Sequence, residues 1–330
     1  MINPTSSIDN QQINIIADNI IKNCKLNINS AKATIHVNKN LSNDIGDAST
    51  IDNYNNNSQT FEIEITIGIK PRTKNPTYQD LTNLCVSIFH EFGHVNQILE
   101  QFDKNNKLSM VLCSNHYARK ASLDYYDCNN IHKTNNYIHH PSEIAAQYVG
   151  IKNAYAYLSQ LYDKTTANLL LCDYAEHTNT VGFIKPQKYE NISDIAHAYK
   201  NAFNDAIHLP RIFKPEFKIC DQNFTYEITN KAKESLYKNT SGLKKDIILA
   251  TAYFTYSPEG YQFSKGQKQN TFPPSFRTAL SRINIENAKQ FIIPKLQIKG
   301  DLLNDIKYDI DTAIIDISTQ NIDLDDIFKQ

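Results

Sequence analysis

Residues 77–102 read TYQDLTNLCVSIFHEFGHVNQILEQF, and this stretch decides the fold. Thr77 followed by Asp80 is a capping-box pattern, so we expect a helix that begins at Thr77. The helix should continue to about Phe102, because apolar residues recur along it every three or four positions. This stripe consists of Leu81, Leu84, Cys85, Ile88, Phe92, Val95 and Leu99. A helix of this length with one apolar stripe packs that face on a core.

A β-strand directly precedes this helix in the sequence. Over residues 61–69, apolar residues alternate with polar or small ones, at Phe61, Ile63, Ile65, Ile67 and Ile69. Pro71 and Pro76 follow and end the strand. We expect a shorter strand at residues 31–37 and an exposed loop at residues 44–59, where Asn and other polar residues dominate. The strands should form a small, mostly antiparallel sheet beside the long helix.

In most of the rest of the chain, apolar residues recur every three or four positions, which is the spacing of a helix. The pattern predicts helices over residues 7–24, 110–126, 141–162, 165–177, 192–208 and 275–293. Residues 219–228 and 247–256 are candidate strands, and the second of these also fits a helix. The fold class is therefore α+β with a largely helical second half. The one candidate boundary, near residues 238–245, separates residues 1–240 from a C-terminal region, 241–330.

Composition narrows the class of protein. Lys and Arg total 34 and Asp and Glu total 35 in 330 residues, so no overall basic field favours nucleic acid. Six cysteines without any C-x-x-C pair indicate reduced, buried thiols and no zinc ribbon. The first residues carry no signal-peptide pattern, and no apolar run reaches the roughly 20 residues of a membrane helix. We therefore expect a cytoplasmic protein without a membrane partner.

The long helix carries the motif His90-Glu91-Phe92-Gly93-His94, an H-E-x-x-H pattern. Histidines four residues apart lie on one helix face and can bind one zinc ion together. Glu91 is then beside the open coordination position and can take a proton from water there. At 100° per residue, both histidines fall away from the apolar stripe, so we expect them to face a cleft. The alternative is a helix with two ordinary histidines.

A zinc site of this kind needs a third protein ligand. A third histidine six residues after His94 is absent, because Glu100 stands there and Gln97 replaces the glycine that would turn the chain. Glu143 is the better candidate, since it opens a predicted helix and is followed by the small Ala146. Such a helix can approach the histidine helix closely and direct a carboxylate at the metal. The alternative is that Glu143 only interacts favourably with the helix dipole.

With its preceding strand, the H-E-x-x-H helix resembles the zincin metallopeptidases. The segment Glu143-Ile144-Ala145-Ala146 resembles the second zinc-binding helix of the gluzincin group. Together the two segments resemble the small bacterial and phage peptidases of the ImmA/IrrE type, which pair H-E-x-x-H with a glutamate on a later helix. The resemblance covers roughly residues 60–160. It implies a zincin-like fold with Zn²⁺ held by His90, His94 and Glu143.

Other polar residues are candidates for supporting roles. His140, like its neighbour His139, can stabilise an oxyanion or hold a ligand, and Tyr148 or Tyr137 can donate a phenolic hydrogen bond. Packing is the alternative for each tyrosine. Residues 165–330 carry no motif of their own, and we expect them to restrict access to the cleft.

The sequence favours a zinc-dependent metalloendopeptidase with Glu91 as general base and a peptide or protein as substrate. Two alternatives stay open. One is a binding or regulatory module on the same scaffold with little or no turnover, and the other is an interaction protein with a chance motif. The oligomeric state and the substrate are not determined by these patterns.

Overall fold

The α+β class is confirmed in the computed structural model, which describes residues 2–55, 60–71, 75–100, 112, 139–178 and 182–208. The described elements are α1 (Asn10–Asn27), β1 (Ala33–Asp44), β2 (Ala48–Asn55), β3 (Thr60–Lys70), α2 (Tyr78–Glu100), α3 (Pro141–Leu161), α4 (Lys164–Asp173) and α5 (Ile192–His208). A π-helical turn, Tyr174–Thr178, continues α4. Among the described helices, none is long and apolar enough to cross a membrane.

The chain divides into two compact units. The first, made of Met1–Asn55, Gln59–Asn96 and Glu143–Phe203, holds the whole sheet and most of each helix. The second contains Asn56–Ser58, Gln97–Ser142 and Asn204–Gln330, of which few residues are described. The predicted elements after residue 208 and the boundary near residue 240 lie outside the described residues. Most of the predicted helix at 110–126 lies outside them as well.

The three strands form a mixed sheet in the order β1-β3-β2, which corrects the expectation of a mostly antiparallel one. β3 pairs parallel with β1 and antiparallel with β2. The reason is the position of β3. Phe61, Ile63, Ile65 and Ile67 are almost completely buried, so the most apolar strand takes the centre of the sheet. It separates β1 from β2, although those two follow each other directly in the sequence.

The loop predicted at residues 44–59 is wrong for half of its length, because β2 occupies Ala48–Asn55. The sequence pattern hides this strand. Its residues opposite the buried face of β3 are Ala48, Thr50 and Asp52, of which two are polar. β2 forms through backbone pairing with β3 and not through an apolar pattern of its own. As a result, the polar side chains of Thr50 and Asp52 lie on a sheet face that is otherwise apolar.

Two side-chain hydrogen bonds connect the turn between β1 and β2 to α2. The Asn83 amide donates to the carbonyl of Ile45 over 3.0 Å, and the Ser87 hydroxyl donates to the carbonyl of Gly46 over 2.9 Å. Gly46 has φ of 90°, a conformation that favours glycine. Asn83 and Ser87 are one helical turn apart, so β2 starts in a fixed position along α2.

Helix α2 begins as predicted. The Thr77 backbone N–H donates to Asp80 Oδ2 over 2.8 Å, and the Asp80 N–H donates back to the Thr77 hydroxyl over 3.3 Å. However, more residues of α2 are buried than the apolar stripe predicted. Val86 and Ile98 outside the stripe are fully buried, and the two histidines are buried as well, at 7% and 2% exposure. The helix is thus packed on more than one side, and its histidine face is not open.

Helices α2 and α3 approach each other closely because small residues line their contact. A Cβ on Gly93 would lie 3.2 Å from Ala146 Cα, and a Cβ on Gly150 would lie 2.8 Å from the carbonyl oxygen of Val86. Backbone therefore meets backbone at two points one turn apart on α3. This contact brings Glu143, at the start of α3, to the histidines of α2.

Gly150→Ala should destabilise the protein although alanine favours helices. Propensity alone would stabilise by about 1 kcal/mol, but the new methyl group has no room at Val86 and should cost about 1–3 kcal/mol. Urea unfolding measures the net change. Asn153→Ala, at an exposed position of the same helix, is the matched control and should be neutral or stabilising. Equal effects of both variants would contradict the close contact.

Candidate metal centre

Two histidines of α2 and one glutamate of α3 form a buried cluster that can hold a metal ion. His90 Nε2 and His94 Nε2 are 3.1 Å apart. The Glu143 carboxylate lies 3.4 Å from His90 Nε2 through Oε2 and 3.2 Å from His94 Nε2 through Oε1. Glu143 is 0% exposed. The three side chains that the sequence pattern proposed as ligands therefore meet at one point, although the first and last are 53 positions apart.

Burial and charge act in opposite directions on His90. Burial alone lowers the pKa of its imidazole, but the hydrogen bond and the charge of Glu143 raise it, with smaller contributions from Glu91 and Gln147. The net pKa is raised. Two buried carboxylates, Glu91 and Glu143, thus make the environment of the imidazoles negative. A divalent cation at this point would balance that charge, which is costly to bury alone.

Gln147 supports His90 from the side away from Glu143, a role that the sequence did not reveal. His90 Nδ1 lies 2.8 Å from Gln147 Oε1, an oxygen that can only accept, so in the neutral imidazole Nδ1 carries the proton and Nε2 is the nitrogen that could bind a metal. The signal was present, because Gln147 is four residues after Glu143 and lies on the same face of α3. A hydrogen bond of this kind sets the tautomer and orientation of a metal-binding histidine.

Tyr174 holds the other end of the Gln147 amide. Gln147 Nε2 donates to the Tyr174 hydroxyl over 2.9 Å, and burial raises the pKa of Tyr174 to about 12. Tyr174 opens the π-helical turn at the end of α4. The Gln79 amide donates to Asp173 Oδ2 over 2.8 Å and ties the last residue of α4 to the start of α2. The support of His90 thus extends through three helices.

Glu91 faces the sheet. Its carboxylate oxygen Oε2 accepts a hydrogen bond from the Thr50 hydroxyl on β2, and the residue is 7% exposed. Thr50 lies opposite Ile65 of the central strand. The residue next to the first histidine is therefore fixed between the helix and the edge of the sheet. Thr50 fell in the segment predicted as a loop, so the sequence pattern did not indicate it.

The other predicted site residues that the structure describes lie in α3 or just before it. Tyr148 is buried in α3 and, by helical phase, lies about 140° around the axis from Glu143, whereas Gln147 lies about 40° away. His140 is buried just before α3, in the second unit. His139 is exposed, and Tyr137 lies outside the described residues. The roles of Tyr148 and His140 stay predictions.

The described cysteines are suited to packing rather than to nucleophilic chemistry. Cys24, Cys85 and Cys172 are free thiols and are all buried. Burial raises the pKa of Cys24 to about 12, raises that of Cys85 further, and, with the charges of Asp194 and Glu176, raises that of Cys172 to about 11. Thiols with such pKa values hold their protons at neutral pH and are poor nucleophiles.

Comparison of the chain with protein-family models, with curated proteins and with solved structures finds no match. The chemistry of the site therefore rests on its own residues.

Proposed function

We propose that this chain is a zinc-dependent peptidase in which His90, His94 and Glu143 bind the metal and Glu91 is the general base. The observation that carries the proposal is the convergence of two imidazole nitrogens and one buried carboxylate at 3.1–3.4 Å. The resemblance to the zincin metallopeptidases supports the proposal, because His90, Glu91 and His94 form the H-E-x-x-H motif that carries this resemblance.

The donor set fits zinc. Ligand atoms placed tetrahedrally at about 2.0–2.2 Å from one zinc ion lie about 3.3–3.6 Å from one another. The two imidazole nitrogens are 3.1 Å apart, and the two oxygens of the Glu143 carboxylate lie 3.2 and 3.4 Å from them, which is close to this range. Two histidines and one carboxylate are a catalytic rather than a structural set, because a structural zinc site closes its fourth position with another protein ligand. The described residues supply three ligands.

A zinc ion bound here would supply a Lewis acid that polarises the scissile carbonyl and makes water a stronger acid. The remaining steps belong to the chain. Glu91 takes one proton from water as the water oxygen bonds to the carbonyl carbon of the peptide. Glu91 then gives this proton to the amide nitrogen, and the carbon–nitrogen bond breaks. The second proton of the water also passes to the leaving nitrogen, so one water is consumed, and a carboxylate and an ammonium group are released.

An extended peptide is the substrate that the sheet favours. In the described part of the chain, β2 is an edge strand. An edge strand offers backbone N–H and C=O groups to a further strand. Because Thr50 in the middle of β2 contacts Glu91, a peptide paired with this edge would pass beside the base.

Cleavage of a random peptide library, followed by mass spectrometry, tests the function. We expect the full chain loaded with zinc to produce new termini, and a chelator to stop the reaction. Cleavage that is unaffected by complete removal of metal would reject the zinc mechanism.

Gln147→Ala should weaken zinc binding by about 10- to 100-fold, because the His90 ring would lose the partner that sets its tautomer. A competition titration with a zinc-binding dye measures the change. Gln187→Ala, at an exposed position outside any helix or strand, is the matched control. If Gln147→Ala binds zinc as tightly as the wild type, the hydrogen bond has no role in metal binding.

A binding or regulatory module is the second candidate, and the burial of the site is the observation that favours it. Glu91, His94 and Glu143 are 7%, 2% and 0% exposed, so substrate access needs some opening. The library experiment separates the two functions. Zinc binding in a 1:1 ratio without any cleavage would favour the module.

A further inference from the structure

Glu91 is hydrogen-bonded to the sheet through the hydroxyl group of Thr50 on β2. Because a hydroxyl can donate and a carboxylate can only accept, the direction of this bond is certain for ionised Glu91. The bond occupies one of the lone pairs of Oε2 and leaves the carboxylate further acceptor sites. A hydrogen bond to a charged acceptor is also stronger than one between neutral groups.

The position of Thr50 is fixed by more than its own strand. Asn83, Ser87 and Glu91 are spaced four residues apart, so they form one line along α2. Each makes a hydrogen bond to the same segment of chain, Asn83 to Ile45, Ser87 to Gly46 and Glu91 to Thr50. Pairing of Thr50 with Ile65 holds the strand from its other side. As a β-branched residue, Thr50 also has few side-chain conformations.

We propose that Thr50 is a positioning residue for Glu91 and holds the carboxylate in its reactive orientation before substrate arrives. The proposal rests on the proposed function. A free glutamate has three rotatable bonds, and their freedom opposes any single reactive geometry. The Thr50 hydroxyl removes this freedom in advance, which is how preorganised sites gain rate.

Thr50→Val tests the proposal in the zinc-loaded full chain, because valine keeps the shape and the strand preference but removes the hydroxyl. We expect kcat to fall about ten- to hundredfold with KM and zinc content unchanged. Thr50→Ser should restore most of kcat, since it retains the donor. Thr66→Val is the matched control on the opposite face of the same sheet and should keep full activity. A rise in KM alone, or failure of Thr50→Ser to restore kcat, would overturn the proposal.

A double-mutant cycle in the metal-free protein gives a readout that does not depend on activity. Thr50→Val should change the unfolding equilibrium constant about tenfold more in the wild type than in the Glu91→Ala background. If the wild type cleaves no peptide, the proposed function fails, and the cycle alone decides about Thr50. Coupling between the two substitutions would support the positioning contact, and additive effects would overturn it.

Discussion

Glu91→Gln should lower peptide hydrolysis by about 10²- to 10⁴-fold while zinc binding and folding remain. Glutamine has the size of glutamate and can still accept the Thr50 hydrogen bond, but it cannot take a proton from water. The measurement is the cleavage rate at equal zinc content. Glu91 is not one of the three clustered ligands, so the metal site should be unaffected.

The matched control for this variant is Glu62→Gln, at an exposed position on the polar face of β3. It makes the same chemical change away from the cluster and should leave the rate unchanged. Retained hydrolysis in Glu91→Gln with full zinc content would assign the base to another residue. Loss of zinc from the variant would instead assign Glu91 to metal binding.

Glu143→Gln should abolish the stabilisation of the protein by zinc. At a free zinc concentration about 100 times the Kd, binding should stabilise the wild type by about 2.7 kcal/mol and raise Tm by roughly 4 °C. Glu143 is the charged ligand at the centre of the cluster, and glutamine is a neutral, much weaker ligand. Thermal unfolding with and without zinc measures the shift for each protein.

The difference between the two melting curves is the relevant quantity, because the substitution also changes the metal-free protein. Glu176→Gln, in the π-helical turn, is the control and should keep the zinc-dependent shift. A shift of normal size in Glu143→Gln would place the metal elsewhere. A wild type that is not stabilised by zinc would reject the metal site.

Much of the candidate site could be predicted because each of its parts depends on local spacing. The H-E-x-x-H pattern places two histidines on one helix face whatever surrounds that helix. Pro141 and the acidic Glu143 indicate a helix start, and the helix does begin at Pro141. The small residue Ala146 was the clue that the helices approach closely, and Gly93 does contact it.

The sequence predicted that the histidines face a cleft but did not indicate how deeply they are buried, and the reason is physical. An apolar stripe shows which face of a helix must be buried, but it does not show that the remaining faces are exposed. Here Glu143 covers the histidines, and charge and hydrogen bonding replace apolar contact. A polar helix face is therefore open only if no other polar group in the chain is complementary to it.

By itself, the sequence determined the helix with its two histidines, the central strand β3 and the α+β class. Each of these follows from a periodicity of side chains within about 10–25 neighbouring residues. Only the tertiary structure decided the strand β2, the mixed sheet, and the partners of the site residues. The Thr50–Glu91 and His90–Gln147 hydrogen bonds join residues 41 and 57 positions apart. β2 lacks an apolar alternation because two of its inward positions, Thr50 and Asp52, are polar, and backbone pairing to a distant strand leaves no local signal.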